Sequence, residues 1–501
     1  MAGFWSTLEL VFKAVFGGVS SEAALDPLAT ASQQAPGDVL FVCGIAEFGV
    51  GGVEGSEIQS AIIKSLADFS GFDFPAISQH MAMSTDAVDP FHAVRDAQNW
   101  AWSAGLRHNC SALLWGDGVA GQNRLDLWLA SKQNTYAPHE LFISQKYGFS
   151  LPLGEDFGQS IKLLLLAASL RLSNDPTRRN LVSAKLAKAL EYQQDRARNL
   201  DTIDESGDGV ALCFATSALA LAENGDRGWC QLASEVLEPL VARCFGFDAR
   251  ADRDQLTMMI AGAGHAGVDQ LLPEHIALLA LYGHLLNWSA LGSSASRVSL
   301  LAVEIWRILH RRFEFAAGAS VAQAVCLTRL GEACCAHARE TKDAALAAEA
   351  VNHLRGALGA SDAKAYPVLY GLTAYHLGDA LIAHGELAKT GLLYESIIPF
   401  FQATLKVCSR RENPYLWGRA MFALATVQAM QGRDTRDVAI LRTAKMNFVQ
   451  AQQNLEEAGA RSAARTAMGG QMRVETLIAD ITTKEMEASS GVSPSTAKIA
   501  G

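Results

Sequence analysis

A spacing of about 47 residues, repeated three times between Val321 and Leu455, restricts this 501-residue chain more than any other feature. Leu330-Gly331, Leu377-Gly378 and Leu424-Ala425 fall in step, as do Pro367 with Pro414, Leu369 with Leu416, Gly371 with Gly418 and Gly385 with Gly432. Each copy has a second half: Ala350, Leu354 and Ala357, then Ser396, Phe400 and Ala403, then Ala444, Phe448 and Ala451. A small residue, an apolar one four later and a small one three after that share one helical face. Stacked helix pairs, a solenoid, are the architecture this predicts.

Half of the residues are hydrophobic, enough for several cores, and a chain of this length exceeds what one core usually holds. The net charge of −10 and pI near 5.7 exclude a nucleic-acid binder working by overall phosphate attraction. The basic residues Lys406, Arg410, Arg411 and Arg419 read as a solvated face. Nine scattered cysteines with no Cys-x-x-Cys pair read as reduced, buried thiols of a cytosolic-type compartment. The most apolar stretch, Leu271 to Leu291, is interrupted by Glu274, His275 and His284, so no membrane span is expected.

Phe4, Trp5, Leu8, Phe12 and Phe16 fall at helical spacing in residues 3–16. Glu9 and Lys13 break the apolar run, which argues against a secretory signal. An amphipathic helix over 1–18 that meets a membrane or a protein is the expectation, followed by a linker over 19–37.

Residues 38–152 change period. Val39 to Cys43 predicts a buried strand, Glu57 to Phe69 a helix, Phe72 to Ile77 a second strand and Val94 to Gly105 a second helix. Ser111 to Gly116 and Leu125 to Leu129 alternate around a turn, which predicts a hairpin, and His139 to Leu151 adds a last strand. The Gly-rich turn at 49–55 invites a phosphate test. Glu54 stands where the dinucleotide fingerprint needs its third glycine, and no lysine lies in the turn, so a plain loop is favoured. The strand Val39–Cys43, its loop into an Ile/Leu-rich helix and the late strand Leu113-Leu114-Trp115-Gly116 resemble the amino-terminal domain of TolB. That resemblance covers roughly residues 38–150 and implies sensing or docking rather than chemistry.

From Phe157 on, helices are expected almost throughout, with degenerate repeats over 153–315, repeats over 316–487 and a polar tail over 488–501. After Gly469-Gly470, a helix over about 472–487 is expected to cap the array. Asn413-Pro414 reads as an N-cap followed by proline in the first turn. The Leu-Gly anchors with the Ala, Leu or Phe, and Ala positions quoted above resemble the tetratricopeptide repeat, in a unit longer than that family's 34 residues. The resemblance implies a groove lined by first helices, and its register assigns Thr328, Glu332, Tyr375, Asp379, Arg419, Phe422 and Thr426 to it.

Enzyme constellations are weak. Neighbouring cysteines in Cys334-Cys335-Ala336-His337 point about 100° apart on a helix, unsuited to sharing one ion. His275 and His284 are too far apart for an i, i+4 metal pair, and the acidic run Asp201, Asp204, Glu205 and Asp208 lacks a calcium loop's glycine and last glutamate. No catalytic residue, metal or cofactor is assigned. The sequence therefore predicts an α+β chain, a small α/β domain before a helical solenoid, acting as a cytoplasmic, bacterial-type adaptor for a protein or peptide. The alternatives are a membrane-peripheral scaffold held by the helix at 1–18, and a nucleotide- or small-molecule-binding enzyme using 49–55. Homo-oligomerisation is left open.

Overall fold

The computed structural model describes residues 41–48, 55–80, 90–119, 123–131, 146–151, 153, 155–173, 175–199, 208–249, 252–262, 271–290, 296–314, 320–411 and 413–489. The expected helix at 1–18, the linker, the Gly-rich turn up to Glu54 and the tail from 490 lie outside them. The chain is α+β, a mixed sheet followed by a long array of stacked helices.

Strand β1 (Phe41–Glu47) is central and buried almost throughout, as its unbroken apolar run requires of a parallel strand covered on both faces. It pairs in parallel with β2 (Phe72–Asp73) and β3 (Ala76–His80) on one side and with β4 (Ala112–Val119) on the other. The single strand expected over 72–77 is thus split in two. Pro75, which has no N–H to give, stands at the break, and its carbonyl accepts from Ile45. The expected hairpin forms between β4 and β5 (Arg124–Ser131), and β6 (Tyr147–Ser150) completes the order β2-β1-β4-β5-β6.

One face of the sheet is covered by α2 (Pro90–Arg107), whose Ala97, Ala101 and Ala104 leave room for Trp115 and Trp128, stacked at 4.8 Å. The opposite face packs on α1 (Gly55–Leu66) through Ile58, Ile62 and Leu66, and shares its core with α3 (Glu155–Leu172) and α5 (Asp208–Glu223). At the join, a Cβ on Gly209 would lie 2.3 Å from the Gly148 carbonyl oxygen, so only glycine permits this approach of helix to strand.

The remaining helices are α4 (Pro176–Arg198), α6 (Cys230–Cys244), α7 (Arg253–Gly262), α8 (Pro273–Ala290), α9 (Ser296–Glu314), α10 (Ser320–Thr341), α11 (Ala344–Ala360), α12 (Pro367–Leu387), α13 (Tyr394–Val407), α14 (Pro414–Thr435), α15 (Val438–Glu457) and α16 (Arg461–Ser489). Helices α5, α8, α10, α12 and α14 adjoin in series as the inner row, and α9, α11, α13 and α15 pack outside them. Burial follows from this. Inner α5, α8, α12 and α14 are buried nearly all round, whereas outer α11, α13 and α15 bury one stripe.

The repeat is visible in backbone geometry as well as in packing. Lys342, Lys389 and Arg436, each about 47 residues after the last, follow the inner helices with φ of 57°, 55° and 54°, the left-handed turn that reverses the chain. Asp343 and Asp437 come next and cap α11 and α15 through their side chains. The middle copy has Thr390 at that position, and α13 starts later, at Tyr394. Gly331 lies against Leu354 and Gly378 against Phe401, as the anchors require. An equivalent contact of Gly283 with Trp306 extends the series to α8 and α9, where sequence anchors could not be aligned.

Three expectations are corrected. In the middle copy the buried triple is Ile397, Phe401 and Thr404, one residue beyond Ser396, Phe400 and Ala403, with Thr404 bonding to the Gly371 carbonyl at 2.7 Å. The last helix starts at Arg461 and runs through Gly469-Gly470, because Gly470 is where the ring of Phe448 presses on the helix. Asn413 precedes α14, and Pro414 occupies its first turn as expected, but the Asn413 side chain makes no capping hydrogen bond.

Candidate functional site

A helix buried on every side must satisfy its polar side chains inside the protein, because an unpaired buried polar group is costly. From α8 to α14 the inner row pairs many of these side chains with one another along a seam. Thr328, Glu332, Tyr375, Asp379, Arg419, Phe422 and Thr426, assigned above to a groove, are each at most 8% exposed, so they belong to the seam and not to an open surface. Arg419 is likewise no part of a solvated basic face.

The seam crosses helices at each step. Thr328 on α10 meets Thr373 on α12, hydroxyl to hydroxyl, at 2.7 Å. Glu332 on α10 accepts from Arg329 at 2.8 Å and from Asn287 on α8 at 3.0 Å, and its other oxygen lies 3.5 Å from His376 Nε2 on α12. Asp379 on α12 accepts two bonds from Arg339 on α10, at 2.6 and 2.8 Å. Arg419 on α14 donates to the Tyr375 hydroxyl at 3.3 Å, its guanidinium 4.7 Å from the centre of that ring. Phe422 packs edge-on against Phe448 of α15, and Thr426 bonds back to the Phe422 carbonyl.

At one end the seam meets the start of the array. Arg227, in the turn between α5 and α6, stacks 4.5 Å from the Trp288 ring and donates to the Tyr415 hydroxyl at 2.8 Å. Arg419 lies 5.6 Å from the same Trp288 ring. Gly225 adopts φ +95°, and a Cβ there would approach Ala460 to 2.5 Å. The array therefore curls until its first third touches its last.

Burial and charge set the protonation states. Burial works to raise Glu332, but His376 first, then Arg329 and Arg419, more than reverse it and hold the carboxyl well below its usual range. Burial pushes His376 down to about 4 against the pull of Glu332, so it is neutral at pH 7. Burial also drives the Tyr375 hydroxyl up. A neutral imidazole beside a fixed carboxylate and an unreactive phenol is the arrangement of a structural clasp.

Sequence reasoning missed Arg227, Asn287, Trp288, Arg329, Arg339, His376 and Tyr415. Arg329 and His376 had a signal, since they occupy the same repeat position beside the Leu-Gly anchors. Arg227 and Trp288 had none, because their contact depends on curvature. The adjacent thiols behave as helix geometry predicts. Cys335 faces Asp379 at 3.9 Å on α12, while Cys334 faces the α11 side. His284 packs edge-on against Trp306, and His337 bonds to Ser299. Of the acidic run, Asp208 is described, at the start of α5, and it pairs with Arg243.

No family model matches the chain, and no curated protein does. One similar solved structure is a circular tandem repeat protein with novel repeat topology and enhanced subunit contact surfaces. It is 15% identical, with 67% of this chain and 87% of that one covered. Its TM-score of 0.23 is too low to carry any property across.

The arrangement ties four inner helices, α8, α10, α12 and α14, to one another through charge and hydroxyl pairs.

Proposed function

We propose that the chain is a non-catalytic scaffold that holds a protein partner at the carboxy-terminal end of its helical array. The observation that carries this is the outer face of α16. Its buried stripe, Ala464, Ala467, Gly470, Val474 and Ile481, packs toward the preceding helices, and Met468 and Met472 lie on the other side, exposed. Met446 on α15 is exposed too, next to Lys445, whose ammonium binds Glu475 of α16 at 2.8 Å. Methionine is flexible and polarisable, and an exposed row of it suits the apolar face of a docking helix.

The occupant this face fits is an amphipathic helix of another protein, stacked as the next member of the series. Among the described residues no helix packs on that outer face of α16. The resemblance of the unit to the tetratricopeptide repeat supports the reading, since a glycine anchor lies against a large apolar side chain in three successive pairs, Gly283 on Trp306, Gly331 on Leu354 and Gly378 on Phe401. The TolB-like sheet, fused to the first helices, would be a second docking module. Among the described residues no helix is long and apolar enough to cross a membrane.

A photo-cross-linking amino acid at Met472, in cells of the source organism, tests this against the same probe at exposed Tyr192 on α4. A specific adduct with another protein at 472, lost on Met468→Glu, is expected. Adducts only with the chain itself or a second copy, or none above the Tyr192 control, would overturn the reading.

A further inference from the structure

Outside the seam, one cluster brings together side chains that structural packing does not require. Cys334 on α10 and Glu349 and His353 on α11 place a sulfur, a carboxylate oxygen and a ring nitrogen within 4.8 Å of one another. The repeat provides an internal control for that spot. At the positions of Cys334 and His353 the next copy has Leu381 and Phe400, and the one after has Gln428 and Asn447, which hydrogen-bond to each other at 2.7 Å. Glu349 becomes Ser396 and Thr443. The same place between an inner and an outer helix thus accepts an apolar pair or an amide pair. Only the first copy assembles three metal ligands.

We propose that Cys334, Glu349 and His353 form a binding site for a divalent ion of the zinc class, clamping α10 to α11. Thiolate with imidazole and carboxylate is a donor set that favours zinc over magnesium or calcium. Tetrahedral zinc would draw its ligand atoms to about 3.5 Å apart, a shift that side-chain rotation supplies. Glu349 Oε1 accepts from Arg307 at 3.0 Å and lies 3.2 Å from His353 Nε2; as a ligand the imidazole would carry its proton on the ring nitrogen that does not face the ion. On binding, the Cys334 thiol proton passes to solvent, and thiolate plus carboxylate balance the ion's two charges. Arg307 is balanced by Glu304, 2.8 Å away.

His310 on α9 stands beside the cluster. Its ring centre is 6.3 Å from that of His353, and its buried Nδ1 has no hydrogen-bond partner. Its ring would supply the fourth ligand, a position that otherwise falls to water. The site is independent of the docking face on α16 and does not rest on it.

The full chain, stripped with a chelator and titrated with cobalt(II) and then zinc(II), tests the proposal. One cobalt per chain is expected, with a sulfur-to-cobalt charge-transfer band and the intense visible bands of a tetrahedral ion, all removed by zinc. The double variant Cys334→Gln, His353→Asn installs the pair that the third copy already accommodates, and it should fold yet lose the bands. Cys334→Ser is a second variant, close in volume, that should lose the charge-transfer band alone. Because the chain has nine free cysteines, charge transfer retained in both variants would place the ion elsewhere and overturn the assignment. Wild-type protein that takes up no cobalt would overturn it equally.

Discussion

Arg227 donates to the hydroxyl of Tyr415 across 188 residues of sequence, and that bond joins the early helices of the array to the late ones. The Arg227 guanidinium also lies over Trp288, so one side chain spans three segments of the curve. Tyr415→Phe removes only the acceptor and should cost about 1–2 kcal/mol, a hydrogen bond from a charged donor. Arg227→Ala loses the ring contact as well and should cost about 2–3 kcal/mol. Urea unfolding measures both, and hydrogen exchange at 224–229 should speed up in each. Midpoints and exchange unchanged in both variants would mean the closure bears no load.

The seam should make the fold acid-sensitive through His376. An unfolded histidine takes its proton near 6.5, but folded His376 takes it only at about 4. Between those values the unfolded state holds a proton that the native state refuses, so stability falls as pH drops from 6.5 and levels off below 4. Glu332, also depressed, continues the loss in the same direction below its ordinary value of 4.5. His376→Gln should flatten the decline between pH 6.5 and 4 by on the order of 1–3 kcal/mol. His275, His310 and His337 are lowered too, by burial first, so some slope will persist. The check is urea unfolding across that range; an identical slope in variant and wild type would remove His376 from the account.

Local rules recovered what is local. The period-2 alternation gave the hairpin β4–β5, and the apolar stripes gave nearly every helix, because both depend on neighbours three or four residues away. The register slip in the middle copy came from matching residue types: Ser396 and Ala403 look like Ala350 and Ala357. The constant interval of about 47 would have selected Ile397, Phe401 and Thr404 instead. A threonine can fill a small-residue position when its hydroxyl bonds to a carbonyl, as Thr404 does to Gly371. The expected groove failed for a different reason. Residues such as Asp379 and Arg419 lie on inner helices buried nearly all round, and whether any face of such a helix is open depends on pitch. Pitch is fixed by contacts such as Arg339 with Asp379, which no single unit encodes. Helix α7, short and polar at its start, gave too weak a stripe to be seen.

Gly469 and Gly470 are adjacent in one helix and should respond oppositely to the same change. Alanine is the better helix former, so where space exists the substitution gains about 0.5–1 kcal/mol. Gly469 has that space: its nearest neighbour is the Arg473 guanidinium at 3.5 Å, an ordinary contact. At Gly470 a Cβ would meet the Phe448 ring at 2.6 Å. That ring is buried and held against Phe422 at 5.5 Å, so it has little room to turn away. Gly469→Ala should therefore raise the urea midpoint, and Gly470→Ala should lower it, by about 1–3 kcal/mol of overpacking. If both variants are stabilised, the glycines are merely weak helix formers and the close approach of α16 to Phe448 is not what selects them. If the signs differ, a pair that looks like a helix break in sequence is a packing notch.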